Sequence, residues 1–142
     1  MLVTAESCTG GWAAQVATSV AGSSKWFERG FVTYSNAAKQ ELLGVRKSTL
    51  KKYGAVSEET AREMALGALE RSRGTIALAI TGVAGPGGGS AAKPVGTVCL
   101  AWARAGKVSS ETRRFRGGRE NVRRQSVIRG LEGILRALDS AG

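Results

Sequence analysis

The sequence predicts an α/β protein: a three-layer α/β/α sandwich around a mostly parallel, mixed sheet of about four to five strands. Short apolar runs alternate along the chain with segments of helical periodicity, which is the pattern of β-α units. Two of these runs, Thr75–Ile80 and Val95–Ala103, are apolar almost throughout, as strands covered on both faces are. The length of 142 residues is typical of one domain.

The first half of the chain contains four predicted elements: strand Leu2–Ala5, a helix beginning at Trp12, strand Gly30–Tyr34 and helix Asn36–Leu43. In the first helix, Trp12, Val16 and Val20 recur every four residues, which is helical spacing. The second helix is bounded at both ends. Ser35 is a good N-cap, and Gly44 suits the position that follows a helix.

The second half contains six predicted elements: a short helical turn at Ser48–Lys52, a helix after Ser57, strands Thr75–Ile80, Val95–Ala103 and Val108–Phe115, and a last helix Glu120–Leu138. The helix after Ser57 has the clearest signals. Ser57 is its N-cap, and Glu58 and Glu59 lie in its first turn, where the helix dipole favours acidic residues. Gly74 ends this segment, and Val108–Phe115 is expected at the edge of the sheet.

The composition excludes several kinds of catalytic site. The chain has no histidine and one aspartate, Asp139. Ser-His-Asp triads, Cys-His pairs and histidine-ligated metals are therefore excluded, and we expect no metal. Cys8 and Cys99 form no spacing pattern, which favours a reduced, cytoplasmic protein. The uncharged stretches are rich in Gly, Ser and Thr, and no signal peptide is evident, so we expect no membrane association.

Three polar loops follow predicted strands, namely Ser7–Gly11, Tyr34–Lys39 and Thr81–Gly89. In open α/β sheets, ligands bind beyond the carboxyl ends of the strands. The three loops are therefore expected to meet at one site. The third loop has five glycines in nine residues, which permits close backbone approach to a ligand but also fits a flexible surface connection.

Ser7 is the candidate nucleophile. It precedes a helix through Gly10 and Gly11, where backbone N–H groups can stabilise an anion. Without histidine, its base would be a lysine whose pKa is lowered by burial, and Lys39 is the best candidate. Tyr34, at the end of its strand, would place its hydroxyl in the same cleft. The alternatives are a serine that only caps a helix, a surface lysine and a packed aromatic ring.

Residues 113–129 contain seven arginines and one glutamate, which is +6 of the chain's net charge of +10. Arginine makes bidentate contacts with phosphate, and Arg119 and Arg123 share a helix face at a spacing of four. We expect one or two arginines to bind a substrate phosphate. The alternatives are a solvated helix face and a nucleic-acid surface, although Phe115 is the only aromatic residue in the segment.

Longer motifs resemble a known family, the C-terminal domain of the competence/damage-inducible protein CinA, and more narrowly its stand-alone PncC type. The resemblance covers essentially the whole chain, in order, through TAESCTGG (Thr4–Gly11), AGSSKWFERGFVTYSNAAK (Ala21–Lys39), GAVSEETAREMA (Gly54–Ala65), TGVAGPGGGS (Thr81–Ser90) and KPVGTV (Lys93–Val98). It implies hydrolysis of nicotinamide mononucleotide (NMN) to nicotinate mononucleotide and ammonia, in pyridine-nucleotide recycling.

The resemblance also implies roles for residues. Ser7 matches the family's nucleophile, and Tyr34 and Lys39 match its catalytic tyrosine and lysine. With the loop and arginine patterns above, it leads us to expect substrate contacts from Thr9, Gly10, Gly11, Thr81, Gly82, Gly85, Arg119 and Arg123. It further implies a three-layer α/β sandwich, no metal or cofactor, and self-association into a homo-oligomer.

The sequence departs from the family pattern in two places. The family has a helix before the first strand, and residues 1–142 are expected to form a single domain without it. Gly117-Gly118-Arg119 stands where the family often has Gly-Asp-Arg. Two other functions stay open: a Ser-Lys amidase acting on a different amide, and a non-catalytic module that binds nucleic acid through its arginines.

Overall fold

The computed structural model describes residues 1–140. It contains five strands, β1 (Leu2–Glu6), β2 (Phe27–Val32), β3 (Ile76–Gly82), β4 (Thr97–Arg104) and β5 (Lys107–Arg114). Its five α-helices are α1 (Trp12–Thr18), α2 (Asn36–Leu43), α3 (Lys47–Tyr53), α4 (Glu58–Glu70) and α5 (Arg119–Asp139), and a single 3₁₀ turn spans Ser23–Lys25. No helix within the described residues is long and apolar enough to cross a membrane.

The strands form one open sheet in the order β2-β1-β3-β4-β5. The inner strand β1 pairs in parallel with both β2 and β3, while β4 and β5 continue the sheet in antiparallel orientation. Helices α1 and α5 cover one face, and α4 covers the other with α2 and α3 packed beside it. The predicted α/β fold with a mixed sheet is therefore confirmed, but the sheet is not mostly parallel, since two of its four strand pairings are antiparallel.

Side chains alternate between two apolar cores along each central strand, as the two-residue period of a strand requires. Large side chains such as Leu78, Leu100 and Trp102 pack under α1 and α5. Small side chains such as Ala77 and Ala101 face α4. The small residues let α4 lie close to the sheet, so each core is matched to its own helix layer.

Helix α2 is held in place by a close backbone approach. A Cβ atom on Gly67 of α4 would lie 1.8 Å from the carbonyl oxygen of Leu43, the last residue of α2. The predicted bounds of α2 are confirmed, because the Ser35 side chain accepts a hydrogen bond from Ala38 N and Gly44 has a φ of 68°. These contacts fix the helix that carries Lys39.

The prediction for the second strand was wrong in its bounds. β2 runs from Phe27 to Val32 rather than from Gly30 to Tyr34, so Tyr34 lies beyond the strand. Half of its residues are exposed, as is common in an edge strand, and β2 therefore lacks the continuous apolar pattern that marks β3 and β4. This shift changes where the Tyr34 ring lies.

An ion-pair network fastens α5 to the edge strand β5. The Glu111 carboxylate accepts from Arg129 Nε at 2.7 Å and Nη2 at 2.6 Å, and from Arg113 Nε at 2.7 Å. Hydrogen bonds from Arg129 are the main cause that lowers the pKa of Glu111 from 4.5 to about 2. The Arg129 side chain, only 10% exposed, also lies over the Trp102 ring.

We expect Glu111→Gln to lower the free energy of unfolding at pH 7 by about 1–2 kcal/mol, because it leaves the Arg129 charge poorly paired. Since the pKa is lowered on folding, the stabilisation is present above pH 4.5 and is lost as the pH falls toward about 2. Urea unfolding at pH 7 and pH 3.5 measures this. Glu120→Gln, at the exposed pair with Arg124, is the control. Equal pH dependence in wild type and Glu111→Gln would contradict the assignment.

Candidate active site

Ser7 directly follows β1, which lies between β2 and β3 in the sheet, and is found at the edge where the carboxyl ends of these three strands meet. Its backbone N–H donates to the carbonyl of Ile80 in β3 at 2.9 Å, and the residue is 8% exposed. This is the position at which open α/β sheets bind ligands. The sheet therefore places the Ser7 side chain at a fixed point on its ligand-binding edge.

The chain turns sharply after Ser7. Gly10 N donates to the Ser7 carbonyl at 3.0 Å, and Gly10 and Gly11 have φ values of 57° and 101°. Those values are costly for residues that carry a Cβ, so both glycines are required by the turn itself. Within residues 1–140, the N–H groups of Cys8, Thr9 and Gly11 donate to no other residue, so these three donors of the turn remain available to an anion.

Glu6 is a residue of this site that the sequence analysis did not single out. Its carboxylate is buried and accepts from Thr9 Oγ1 at 2.7 Å, Ala13 N at 2.8 Å and Ala14 N at 3.1 Å. Glu6 thereby binds N–H groups in the first turn of α1, and these are groups that the sequence had suggested as an anion site for the substrate. The available signal was an acidic residue at the end of a strand that is otherwise uncharged.

Lys39 is buried, with 1% of its surface exposed, and its amine reaches Ser7. Nζ lies 2.9 Å from Ser7 Oγ, 2.9 Å from the Thr33 carbonyl oxygen and 3.3 Å from the Tyr34 carbonyl oxygen. In the part of the chain that the structure describes, Lys39 forms no ion pair. Burial lowers the pKa of Lys39 below its ordinary value of 10.5, because the charged form loses its hydration.

All three contacts of Lys39 Nζ are to oxygen atoms, and the charged and neutral forms of the amine would fill them differently. A neutral amine has two N–H donors and one lone pair, and the carbonyls of Thr33 and Tyr34 accept two hydrogen bonds. At the third contact the charged amine donates to Ser7 Oγ, whereas in the neutral form the lone pair would be left to accept the hydroxyl proton of Ser7. A lysine in this state can accept a proton from Ser7, which is the chemistry that an activated serine nucleophile needs.

Tyr34 meets Lys39 through its backbone and not through its ring. Its side chain is exposed, and its phenol oxygen accepts a hydrogen bond from Arg119 Nη2 at 3.3 Å. No hydrogen bond joins the phenol to Ser7 or Lys39 among residues 1–140. The expected hydroxyl relay is thus replaced by a carbonyl contact, because Tyr34 lies two residues beyond the end of β2.

The two arginines expected to bind phosphate instead donate to carbonyl oxygens around the site. Arg119 Nη1 donates to Gly85 at 2.8 Å. Arg123 donates through Nε to Cys8 at 3.0 Å and through Nη2 to Thr9 at 3.2 Å. Both arginines therefore tie the start of α5 to the loops beside Ser7, and only their remaining N–H groups are left for a ligand.

The glycine-rich loop is shaped by its own packing. Thr81 Oγ1 donates to the Ala55 carbonyl at 2.9 Å, so this predicted substrate contact is engaged with the segment before α4. Gly82 belongs to β3, where a Cβ would lie 2.8 Å from Val98 Cγ2. Gly85 has a φ of 83° and provides the carbonyl that Arg119 binds. These residues set the course of the loop toward Tyr34 and α5.

The arginine-rich segment is largely engaged within the protein. Five of its seven arginines contact other groups of residues 1–140: Arg113 and Arg129 with Glu111, Arg124 with Glu120, and Arg119 and Arg123 with backbone carbonyls. Arg114 and Arg116 line an open cavity of about 500 Å³ beside Val95. Most arginines of residues 113–129 therefore contact other groups of the same chain.

Comparisons with known proteins agree with this architecture. Residues 1–138 match the family described as "CinA C-terminal domain". The chain is 56% identical over 133 residues to the nicotinamide-nucleotide amidohydrolase PncC of Enterobacter agglomerans, covering 93% of this chain and 81% of that protein. It is 55% identical over 134 residues to PncC of Pseudomonas putida, covering 94% and 84% of the two chains.

A solved structure shares the fold. The competence/damage inducible protein CihA from Agrobacterium tumefaciens superposes with a TM-score of 0.94 at 54% identity, over 98% of this chain and 85% of that chain. The sheet order, the Ser7 turn and the match over nearly the whole sequence lead to one conclusion: this chain belongs to the CinA C-terminal domain family.

Proposed function

We propose that this protein is an amidohydrolase that converts NMN to nicotinate mononucleotide and ammonia, with Ser7 as nucleophile and Lys39 as its base. The observation that carries the proposal is the buried 2.9 Å contact between Lys39 Nζ and Ser7 Oγ. The substrate is taken from the relatives named nicotinamide-nucleotide amidohydrolase, of which this chain covers about four fifths. The reaction serves pyridine-nucleotide recycling.

In the first half of the proposed reaction, Ser7 Oγ attacks the carboxamide carbon while its proton passes to neutral Lys39. The carbonyl oxygen becomes an oxyanion, which we assign to the N–H groups of Cys8 and Thr9, since neither donates to another residue within residues 1–140. One such donor contributes about 3 kcal/mol to the stability of the transition state in serine hydrolases. Lys39 then gives its proton to the amide nitrogen, the C–N bond breaks, and ammonia leaves an ester on Ser7.

In the second half, water attacks that ester. Lys39 is neutral again and takes a proton from the water as the new C–O bond forms. It returns this proton to Ser7 Oγ as the ester bond breaks, which releases nicotinate mononucleotide and restores the enzyme. The steps use only Ser7, Lys39 and backbone groups, so they call for no metal or cofactor.

The proposal assigns supporting roles to the other site residues. Tyr34 orients the Lys39 amine through its carbonyl, and Arg119 links the Tyr34 ring to the Gly85 loop. We place the reaction in the cytoplasm, in keeping with two free, buried cysteines. Self-association into a homo-oligomer stays a prediction from the family. The nucleic-acid alternative is weaker, since most of the arginines in residues 113–129 bind groups within the chain.

The test is product formation by the purified protein. NMN should yield ammonia and nicotinate mononucleotide in equal amounts, detected by a coupled ammonia assay and by chromatography. Free nicotinamide and simple primary amides should react far more slowly. Ammonia released from another amide but not from NMN would overturn the proposed substrate, and a salt-dependent shift of DNA without any amidase activity would favour the binding module.

A further inference from the structure

Arg123 reaches from α5 across to the turn that carries the proposed nucleophile. Its guanidinium donates to two consecutive carbonyls of that turn, those of Cys8 at 3.0 Å and Thr9 at 3.2 Å. The same guanidinium lies 5.3 Å from the centre of the Trp12 ring, on the first residue of α1. One side chain thus joins the Ser7 turn, helix α1 and helix α5.

Resting on the proposed function, we infer that Arg123 is a positioning residue that holds the Thr9 N–H in place to bind the oxyanion, and is not a ligand of the substrate phosphate. The Cys8 carbonyl and the Thr9 N–H belong to one planar, trans peptide unit, in which they point in opposite directions. Because the carbonyl is bound to Arg123, the N–H points away from Arg123. That N–H has no acceptor within residues 1–140.

The Thr9 residue is also held from its other side. Its buried hydroxyl donates to the Glu6 carboxylate at 2.7 Å, while its carbonyl accepts from Arg123. Glu6 in turn binds the first N–H groups of α1. An anion and a cation therefore fix the turn from opposite sides, which limits rotation of the peptide between Cys8 and Thr9.

The charge of Arg123 also acts on the peptide itself. A cation bound to a carbonyl oxygen polarises the peptide unit and strengthens its N–H as a donor, because hydrogen bonds in a chain reinforce one another. Arginine suits this role since one rigid guanidinium can reach two carbonyls and stack on an aromatic ring together. A flexible lysine ammonium can serve one carbonyl well, and it keeps the charge.

The test compares Arg123→Gln and Arg123→Lys with Arg124→Gln. Arg124 is the matched control: its substitution removes the same charge from the next position, and within residues 1–140 it is exposed and hydrogen-bonds only with Glu120. Its guanidinium also lies 6.0 Å from the centre of the Trp12 ring, so the comparison isolates the two carbonyl contacts of Arg123. In NMN turnover, Arg123→Gln should lower kcat about 10- to 100-fold with KM changed less than about threefold, since misplacing one group near the reacting atoms costs about this much. Arg123→Lys should recover part of kcat, and Arg124→Gln should match wild type.

A second substrate separates this inference from the proposed function. p-Nitrophenyl acetate has no phosphate, and the Ser7-dependent part of its cleavage is found by subtracting the rate of Ser7→Ala. Arg123→Gln should slow that part by the same factor as NMN turnover. Ester cleavage that needs Ser7 without any ammonia from NMN would overturn the proposed substrate and leave the Arg123 assignment testable in the ester assay.

The inference is overturned if Arg123→Gln raises KM for NMN tenfold or more, keeps kcat, and leaves ester cleavage unchanged. That result would return Arg123 to the role of phosphate ligand. Circular dichroism and thermal unfolding of each variant show whether it is folded. If Arg123→Gln fails to fold, the test uses Arg123→Lys, which keeps the charge. Its kcat should be lowered while its KM for NMN stays nearly unchanged, and a raised KM with unchanged kcat would overturn the inference.

Discussion

Lys39→Met is expected to lower kcat/KM for NMN by about a thousandfold while the protein stays folded. The change removes the group that accepts the Ser7 proton, and a general base contributes roughly 10²- to 10⁴-fold to such reactions. Methionine has a similar length and no charge, so the buried volume is largely kept. Ammonia release at saturating and at low NMN measures the loss.

Two controls make the Lys39 result specific. Lys39→Arg should be about as inactive as Lys39→Met, because a guanidinium stays protonated and cannot act as a base. Lys47→Met makes the same substitution at an exposed position of α3 and should keep wild-type activity. Activity of Lys39→Met within tenfold of wild type would remove Lys39 from the proposed chemistry.

The same variant reports on the cost of burying Lys39. Its pKa is lowered on folding, so between that value and 10.5 the unfolded chain binds more protons than the folded one. The free energy of unfolding of wild type should therefore rise with pH, relative to Lys39→Met, as the pH approaches 10.5. Parallel stability curves for the two proteins would mean that Lys39 has an ordinary pKa.

Ser7→Ala is expected to abolish NMN hydrolysis to a similar extent, about a thousandfold or more, because it removes the only proposed nucleophile. The double variant Ser7→Ala with Lys39→Met should lose no more than either single one. Residues that act as a unit are far from additive, since the second removal has nothing left to disrupt. Additive losses would show that Ser7 and Lys39 act independently.

Cys8→Ala is the matched control for Ser7. Cys8 is the neighbouring residue, and its thiol is a second nucleophilic group in the turn, where the Thr9 hydroxyl is engaged with Glu6. Burial raises the pKa of this thiol to about 12, so it carries almost no thiolate at neutral pH. Cys8→Ala should keep most of the activity. If Cys8→Ala lost activity and Ser7→Ala retained it, the nucleophile would be Cys8 and not Ser7.

The sequence offered Ser7 and Lys39 as a candidate pair, with a capping serine and a surface lysine as the alternatives, and the structure brings the two side chains into contact. Ser7 follows an apolar strand, and Lys39 lies one turn into a helix that Ser35 and Gly44 delimit. Once the strand and the helix pack on one sheet, their facing side chains meet. The burial of Lys39 could not be predicted from the α2 sequence, because exposed residues outnumber buried ones in that helix.

The contacts of Arg119 and Arg123 could not be read from the sequence, because they join α5 to loops more than 30 and more than 110 positions away in the chain. A cluster of arginines in the sequence indicates positive charge. Only the tertiary fold shows that these guanidinium groups donate hydrogen bonds to backbone carbonyl oxygens. The role of Glu6 could not be predicted from the sequence for a related reason. Its role depends on α1 folding back over the end of β1, which brings Ala13 N to the carboxylate.

The pH dependence of NMN hydrolysis tests the central claim most directly. If neutral Lys39 is the base, kcat/KM should rise through the lowered pKa of Lys39 and reach a plateau below pH 10.5. Lys39→Met should lack this rise in whatever activity it retains. A wild-type rate that keeps increasing tenfold per pH unit up to pH 10.5 would mean that Lys39 is an ordinary, charged lysine, and would contradict the account.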